Sequence, residues 1–266
     1  MKFFKETTFQ EVNYSPEDTL ELLRQYKVLL IRDYQREEDP LEFFTKFSEK
    51  LGYSYALDED LATGERTGKN WIDITYDPDV PNKYRSAPVA QPLHTDMSYD
   101  PIYDNVQFFY CVSQAKYGGA TTFIDADFLV ELMELSGETE LLRDIQETEV
   151  IHSKTSIKRV SPILRKEEGE WHLNWNYFCC DENNTPFAKE LFERFHNFLE
   201  TRVVKSGVVS EGRLNKNDVV FFHDERILHG RNAYFAEHKG QRSLNKGTII
   251  LEERKHKNPH LELVKN

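Results

Sequence analysis

The last third of the chain leaves it the least freedom. Residues 218–222, 226–234 and 242–251 are three successive runs rich in branched and aromatic side chains, each of strand length. Earlier strand signals stand at 27–32, 71–76, 105–112, 120–124, 148–152, 160–165 and 171–178. A helix is predicted from Ser15-Pro16-Glu17-Asp18 to about Gln25, since serine caps, proline fills the first helical position and acids suit the positive end of the dipole. A second runs from Asp39-Pro40 to Gly52, with Leu41, Phe43, Phe44 and Phe47 on one stripe. Others are predicted over 128–136, 140–146 and from Thr185-Pro186 to about Val203. Residues 53–70 are polar and aperiodic, a loop, and 77–92 carry four prolines and must be irregular or extended. Many strands, with helices only at the front and in insertions, predict a mainly β chain with flanking helices and a double-stranded β-helix (jelly-roll) core. A doubly wound α/β fold is disfavoured, because strands and helices do not alternate regularly and no Gly-rich strand-to-helix turn is present. One domain is expected over residues 1–266, with N-terminal elements in 1–52, the core in about 70–255 and an insert in about 136–215.

At 39% hydrophobic the chain can bury a sizeable core. No apolar run approaches the roughly 20 residues needed to span a bilayer, and Met1-Lys2-Phe3-Phe4-Lys5-Glu6 lacks the pattern of a signal peptide. A cytoplasmic location is therefore the expectation. The formal charge of −12 argues against nucleic acid or an anionic membrane as a partner and slightly favours a neutral or cationic small molecule. Cys111 and the adjacent Cys179-Cys180 form neither a disulfide framework nor a C-x-x-C motif, and read as reduced, mostly buried thiols.

Residues Gln91-Pro92-Leu93-His94-Thr95-Asp96 hold a His-x-Asp pair. On a strand, residues two apart share a face, so an imidazole and a carboxylate can grip one ion. A histidine from elsewhere, His229 in Leu228-His229-Gly230-Arg231, completes two histidines and a carboxylate. Such a facial triad leaves open positions on a non-haem Fe(II) for a cosubstrate and O2. The pair alone is weak: nine histidines and 46 acids give about one or two such pairs by accident. A second one, His223-x-Glu225, ends an apolar run and reads as structural. His152, His172, His196 and His238 have no partners at ligand spacing, and Trp71, Tyr76, Trp171, Trp175 and Tyr177 read as core.

Together, Pro92-Leu93-His94-Thr95-Asp96, Gly118-Gly119-Ala120-Thr121-Thr122-Phe123 and Asp218-Val219-Val220-Phe221-Phe222 running into Leu228-His229-Gly230-Arg231 resemble the TauD/TfdA superfamily. This is the taurine dioxygenase-like, clavaminate synthase-like group of Fe(II)/2-oxoglutarate dioxygenases. Val28-Leu29-Leu30-Ile31-Arg32-Asp33, followed by an aromatic helix ending at Leu51-Gly52, is similar to its N-terminal segment. The resemblance spans most of the chain and weakens in 53–88 and about 136–215. It implies His94, Asp96 and His229 as iron ligands, Thr121 as a hydrogen-bond partner of the 2-oxoglutarate tail, and Arg242, thirteen residues past His229, as the partner of its distal carboxylate. Guanidinium suits that carboxylate because it is planar, forked and always charged. Arg231 is the rival for this role. A hairpin from 226–234 back through 242–251 is expected to set Arg242 beside His229.

The implied reaction consumes 2-oxoglutarate and O2, releases succinate and CO2, and hydroxylates a substrate C–H bond, with desaturation or cyclisation as alternative outcomes. A carboxylate at Asp96 favours oxygen over halogen transfer, since related halogenases need a small residue there. The stretch Ser243-Leu244-Asn245-Lys246 lacks the arginine clamp for a sulfonate, which argues against taurine and leaves Asn245 or Lys246 as the substitute anchor. Asp73, Asp77, Asp100 and Asp104 are candidates to receive an amine, so a small amino acid or amine-bearing metabolite is the expected substrate. Two other classes stay open: a non-catalytic jelly-roll binding module, and a zinc or iron hydrolase using the same triad.

Overall fold

A strand buried at every position needs neighbours on both edges and cover on both faces. Val219–His223 is such a strand, and it pairs antiparallel with Val28–Arg32 on one side and Val106–Ser113 on the other. The computed structural model, which describes residues 3–60, 63, 65–258 and 261, builds a seven-stranded sheet around it. The order is Phe4–Thr8, Val28–Arg32, Val219–His223, Val106–Ser113, Ser243–Leu251 and Gly52–Ser54, with Ile72–Thr75 also pairing with Ser243–Leu251. Only the first pair is parallel. A four-stranded sheet faces it, in the order Ser210–Gly212, Thr121–Asp125, Ile227–Arg231, Gln91–His94. These two opposed sheets are the jelly-roll predicted from the sequence.

Alternation along the strands decides what fills each layer. Leu30, Val220, Phe222 and Phe109 point between the sheets, where Phe123 and Ile227 of the smaller sheet meet them. Leu29, Ile31, Val219 and Phe221 point the other way and are covered by the front helices Pro16–Gln25 and Pro40–Leu51 through Leu23, Phe43, Phe44 and Phe47. The outer face of the smaller sheet, Leu93, Ile124 and Leu228, is covered by the helix Ala126–Leu135 and by the insert, whose helices Thr139–Glu147 and Pro186–Phe198 pack with it around Trp175. Both front helices have the caps the sequence implies: Ser15 accepts from the Asp18 N–H and Asp39 from the Glu42 N–H.

Three expectations need correction. Residues 226–234 and 242–251 do not form a hairpin. Ile227–Arg231 already has both edges filled, by Thr121–Asp125 and Gln91–His94, so no edge remains for a returning strand. The chain instead makes the short Tyr234–Phe235 strand against Tyr117–Gly118 and crosses to the opposite sheet as Ser243–Leu251. Second, 171–178 is not one strand: Glu170–Leu173 ends the ladder, and Asn176 accepts from the Phe178 N–H to cap a tight turn at Tyr177–Cys179. Third, 160–165 is split between Ile157–Ser161 and Leu164–Glu167, which belong to two separate hairpins; Pro162, at the break, has no N–H for a ladder. Met1 and Lys2, read above as free of a signal peptide, and residues 61, 62 and 64 of the expected loop lie outside the described residues. Among the described residues no helix is long and apolar enough to cross a membrane.

Buried histidines, His152 and His223 among them, make the fold acid-sensitive. His152 is packed against Phe192 and Trp175, and burial pushes its pKa down to about 3; burial, then the Arg226 charge, pushes that of His223 down to about 4. Their folded pKa values lie below the unfolded one, so the unfolded chain binds the extra protons as pH falls through the usual histidine range. Each therefore contributes stability that is present above about pH 6.5 and lost toward pH 4. Asp224, raised to about 7 chiefly by burial, works in the opposite sense. Isolating His152 gives the clean test. The urea midpoint of His152→Met is expected to fall less steeply than that of the natural chain between pH 6.5 and pH 4; an equal or steeper fall contradicts the argument.

Candidate metal centre

His94 and His229 face each other on one rung of a ladder. Gln91–His94 and Ile227–Arg231 run antiparallel with these two residues as direct partners, and their ring centroids stand 4.3 Å apart. Phe222 and Phe109 pack against the His229 ring at 4.7 and 6.0 Å. The ladder stops at His94, and Thr95 turns the chain by exchanging hydrogen bonds with the Trp175 backbone: its N–H donates to the carbonyl at 2.6 Å, and its hydroxyl accepts from the Trp175 N–H at 3.1 Å. Asp96 thereby folds back between the imidazoles. Its Oδ1 lies 3.6 Å from His94 Nε2 and its Oδ2 3.5 Å from His229 Nε2. One ligand atom from each residue lies within 4.8 Å of the others.

The protonation states suit a cation. His94 Nδ1 lies 2.9 Å from the Pro92 carbonyl, which can only accept, so Nδ1 carries the proton and Nε2 offers its lone pair. Burial, then the neighbouring His94, holds the His229 pKa well below the usual imidazole value. At Asp96, burial opposes ionisation but is outweighed by Lys246 and the histidines, and the pKa falls well below the usual carboxylate range. Lys246 Nζ stands 2.7 Å from Asp96 Oδ2.

The same residues line one end of a cavity of about 440 Å3, and Thr121 and Arg242 line it with them. Gly119, at φ +74°, lies against Arg242; a Cβ there would stand 3.1 Å from the Arg242 Nε. Arg242 is only 1% exposed, with its guanidinium 4.9 Å from the centre of the Tyr234 ring. Its Nε and Nη1 have no hydrogen-bond partner among the described residues. Burial, then the nearby Arg231, pushes its pKa down to about 10. Arg231 lines the cavity too, with its Nε unpartnered among the described residues, but both of its terminal nitrogens donate to the carbonyls of Tyr84, Ala87 and Val89 at 2.8–2.9 Å and pin that loop.

The sequence profile described as "Taurine catabolism dioxygenase TauD, TfdA family" matches residues 7–248. The chain belongs to this family. No curated protein sequence matches it significantly. Among solved structures, PvcB from Pseudomonas aeruginosa is similar at 18% identity and a TM-score of 0.64, over 90% of this chain and 81% of that one. The non-heme iron oxygenase OrfP, in complex with Fe and α-ketoglutaric acid, is similar at 16% and 0.65, over 91% and 81%. An asparagine oxygenase with Fe(II), 3-hydroxyasparagine and succinate is similar at 10% and 0.62, over 88% and 78%. At such identities the likeness is one of fold.

Against this TauD/TfdA framework, the candidate amine receptors of the sequence are already engaged. Asp73 accepts from Asn245 Nδ2 at 2.7 Å, and Asn245 is not among the residues lining the cavity, whereas Lys246 is. Asp77 pairs with Lys239, Asp100 with Arg66, and Asp104 with Arg254 and Lys257. Tyr177, read as core, lines the cavity beside Phe178 and Cys179, whereas Trp175 is fully buried in the insert core. His223 and Glu225 stay outside the ligand cluster: a ring nitrogen of His223 lies 2.8 Å from the Leu23 carbonyl, and Glu225 is held by Arg159 and Arg165. Sequence reasoning missed Asp224 between them. It accepts from the backbone N–H of Asp96 at 3.0 and 3.1 Å and of Met97 at 3.3 Å. An acid in a buried run offers a weak signal of this, and no spacing rule extracts it.

Proposed function

We propose that this protein is an Fe(II)- and 2-oxoglutarate-dependent oxygenase that hydroxylates a C–H bond of a small amino acid, releasing succinate and CO2. The observation that carries the reading is Arg242. A buried guanidinium with unpartnered donors is costly, and a carboxylate in the adjoining cavity relieves it. The donor set fits iron as well: two imidazoles and one carboxylate leave three positions open. A plain hydrolase or a passive binding module needs no such arginine.

In this reading His94 Nε2, Asp96 and His229 Nε2 hold the metal, while Arg242 and Thr121 orient the far carboxylate of 2-oxoglutarate. The bound iron supplies the activation of O2 at the expense of the cosubstrate's keto acid. The chain's own work is placement and exclusion of water. Lys246 keeps Asp96 ionised and fixes which way its carboxylate faces, and that carboxylate fills the position a halide would need. Phe109, Leu244 and Ile74 give the cavity apolar walls.

The charges of the walls refine the substrate. Their acids, Asp96 and Glu59, are paired with Lys246 and Lys154, and Lys83 adds a further cation. A ligand bringing a carboxylate is better matched than a bare amine, which favours an amino acid. Solved relatives of the same fold are described with hydroxylated asparagine and arginine, in line with this choice. We also read residues 1–266 as one domain acting in the cytoplasm, without nucleic acid or membrane as partner.

Anaerobic protein mixed with Fe(II) and 2-oxoglutarate is expected to develop a weak visible charge-transfer band. With air, one or more members of a panel of the standard amino acids should stimulate succinate release and gain one oxygen in mass. Absence of the band removes the cofactor assignment; a band with no response to any amino acid removes the substrate class.

A further inference from the structure

We propose that Asp224 is a positioning residue that sets two of the three iron ligands at once, an inference that rests on the oxygenase reading above. Connections between strands are normally solvated. The one joining Val219–His223 to Ile227–Arg231, residues 224–226, is buried throughout. Glu225, Arg226 and the preceding His223 tie it to the first helix and to the insert hairpins. His223 reaches the Leu23 carbonyl on the first helix, Glu225 is clamped by Arg159 and Arg165 of the insert hairpins, and Arg226 pairs with Glu170 at 2.7 Å.

Asp224 differs from these in what it touches. It is 0% exposed, and among the described residues no lysine or arginine pairs with it. Its Oδ1 and Oδ2 accept from the Asp96 N–H at 3.0 and 3.1 Å, and Oδ2 also accepts from the Met97 N–H at 3.3 Å. Oδ1 lies 3.8 Å from His229 Nδ1, an atom with no hydrogen-bond partner among the described residues. One carboxylate thus stands behind both Asp96 and His229.

The need for such a group follows from the ladder. Its last rung is the His94–His229 pair, so Asp96 lies beyond the sheet and has no strand partner to fix its backbone. Asp224 replaces the missing ladder bonds with two side-chain acceptors. A rotation of the His229 ring that closed the 3.8 Å gap would let Nδ1–H donate to the same carboxylate. Such a contact would fix the tautomer with Nε2 free and make the ring a stronger donor to a metal, the usual role of a carboxylate behind a ligating imidazole. The arrangement also explains why a turn of this length is buried: three neighbours anchor it so that the fourth can hold the site.

The test uses the full chain, stripped of metal, in four forms: natural, Asp224→Ala, Asp224→Asn and Glu225→Gln. Fe(II) is titrated anaerobically at saturating 2-oxoglutarate, with the charge-transfer band as readout, and the apo melting temperature of each form is measured alongside. Asp224→Ala is expected to weaken Fe(II) binding about 10- to 100-fold. Asp224→Asn should fall between it and the natural chain, since an amide oxygen can still accept one N–H. Glu225→Gln, which breaks a purely structural clamp, should lower the melting temperature yet leave Fe(II) affinity close to that of the natural chain. Affinity unchanged in Asp224→Ala, or weakened equally in Glu225→Gln, overturns the proposal. Should the alanine variant fail to fold, the asparagine variant decides, with unchanged affinity again counting against it. Failure of the natural chain itself to bind Fe(II) overturns the oxygenase reading, and this inference falls with it.

Discussion

His229→Ala is expected to lose the charge-transfer band and all 2-oxoglutarate turnover above the metal-free background. Removing it leaves His94 and Asp96 on a site where Lys246 already competes for the carboxylate. Changing an outer partner of a ligand typically costs about 10- to 100-fold in metal affinity, so deleting a ligand should cost more. The change should lower the melting temperature without altering the sheets, because it removes a buried ring that packs against Phe222 and Phe109 but makes no hydrogen bond through Nδ1. Apo circular dichroism matching the natural chain, with no iron retained on gel filtration, is the predicted pair of results. A band of ordinary strength at ordinary iron concentration would sink the assignment of His229.

The second large effect concerns Arg242. Truncating one partner of a buried, hydrogen-bonded charge pair costs about 2–5 kcal/mol, which corresponds to a loss of roughly 30-fold or more in affinity for 2-oxoglutarate. Arg242→Leu should therefore raise the KM for 2-oxoglutarate by at least that factor while leaving Fe(II) binding intact. Arg242→Lys should recover only part of the loss, since an ammonium cannot present two parallel N–H donors to a carboxylate. Arg231→Leu is the comparison that discriminates. It frees the carbonyls of Tyr84, Ala87 and Val89 and so should cost stability, but with no selective effect on the cosubstrate. If Arg231→Leu gives the larger rise in KM, the carboxylate belongs to Arg231.

The elements were legible wherever one residue type decided them. The run 218–222 reads as a core strand because Val219, Val220, Phe221 and Phe222 prefer extended, covered positions, and the front helices read clearly because Ser15-Pro16 and Asp39-Pro40 are unambiguous starts. Partner choice was not legible. Whether 226–234 pairs with 242–251 depends on which edges other strands have already taken, and those strands, Gln91–His94 and Thr121–Asp125, come from far up the chain. The candidate ligands were legible as a pattern of types in order. What surrounds them was less so: Asp224 acts through backbone N–H groups, which leave no trace in side-chain identity, and Asp73 or Asp100 looks free until its partner is known.

The shared rung of His94 and His229 has a consequence for quality control. Side chains alternate between faces along a strand, so a slip of one residue between Gln91–His94 and its neighbour would turn His94 away from the cavity. A misregistered molecule would push His94 into the apolar core behind the sheet and lose stability as well. It could not take up iron with normal affinity. Iron binding would then act as a proofreading step, drawing the population toward the correct register by mass action, and the iron stoichiometry of a preparation would count its correctly paired molecules.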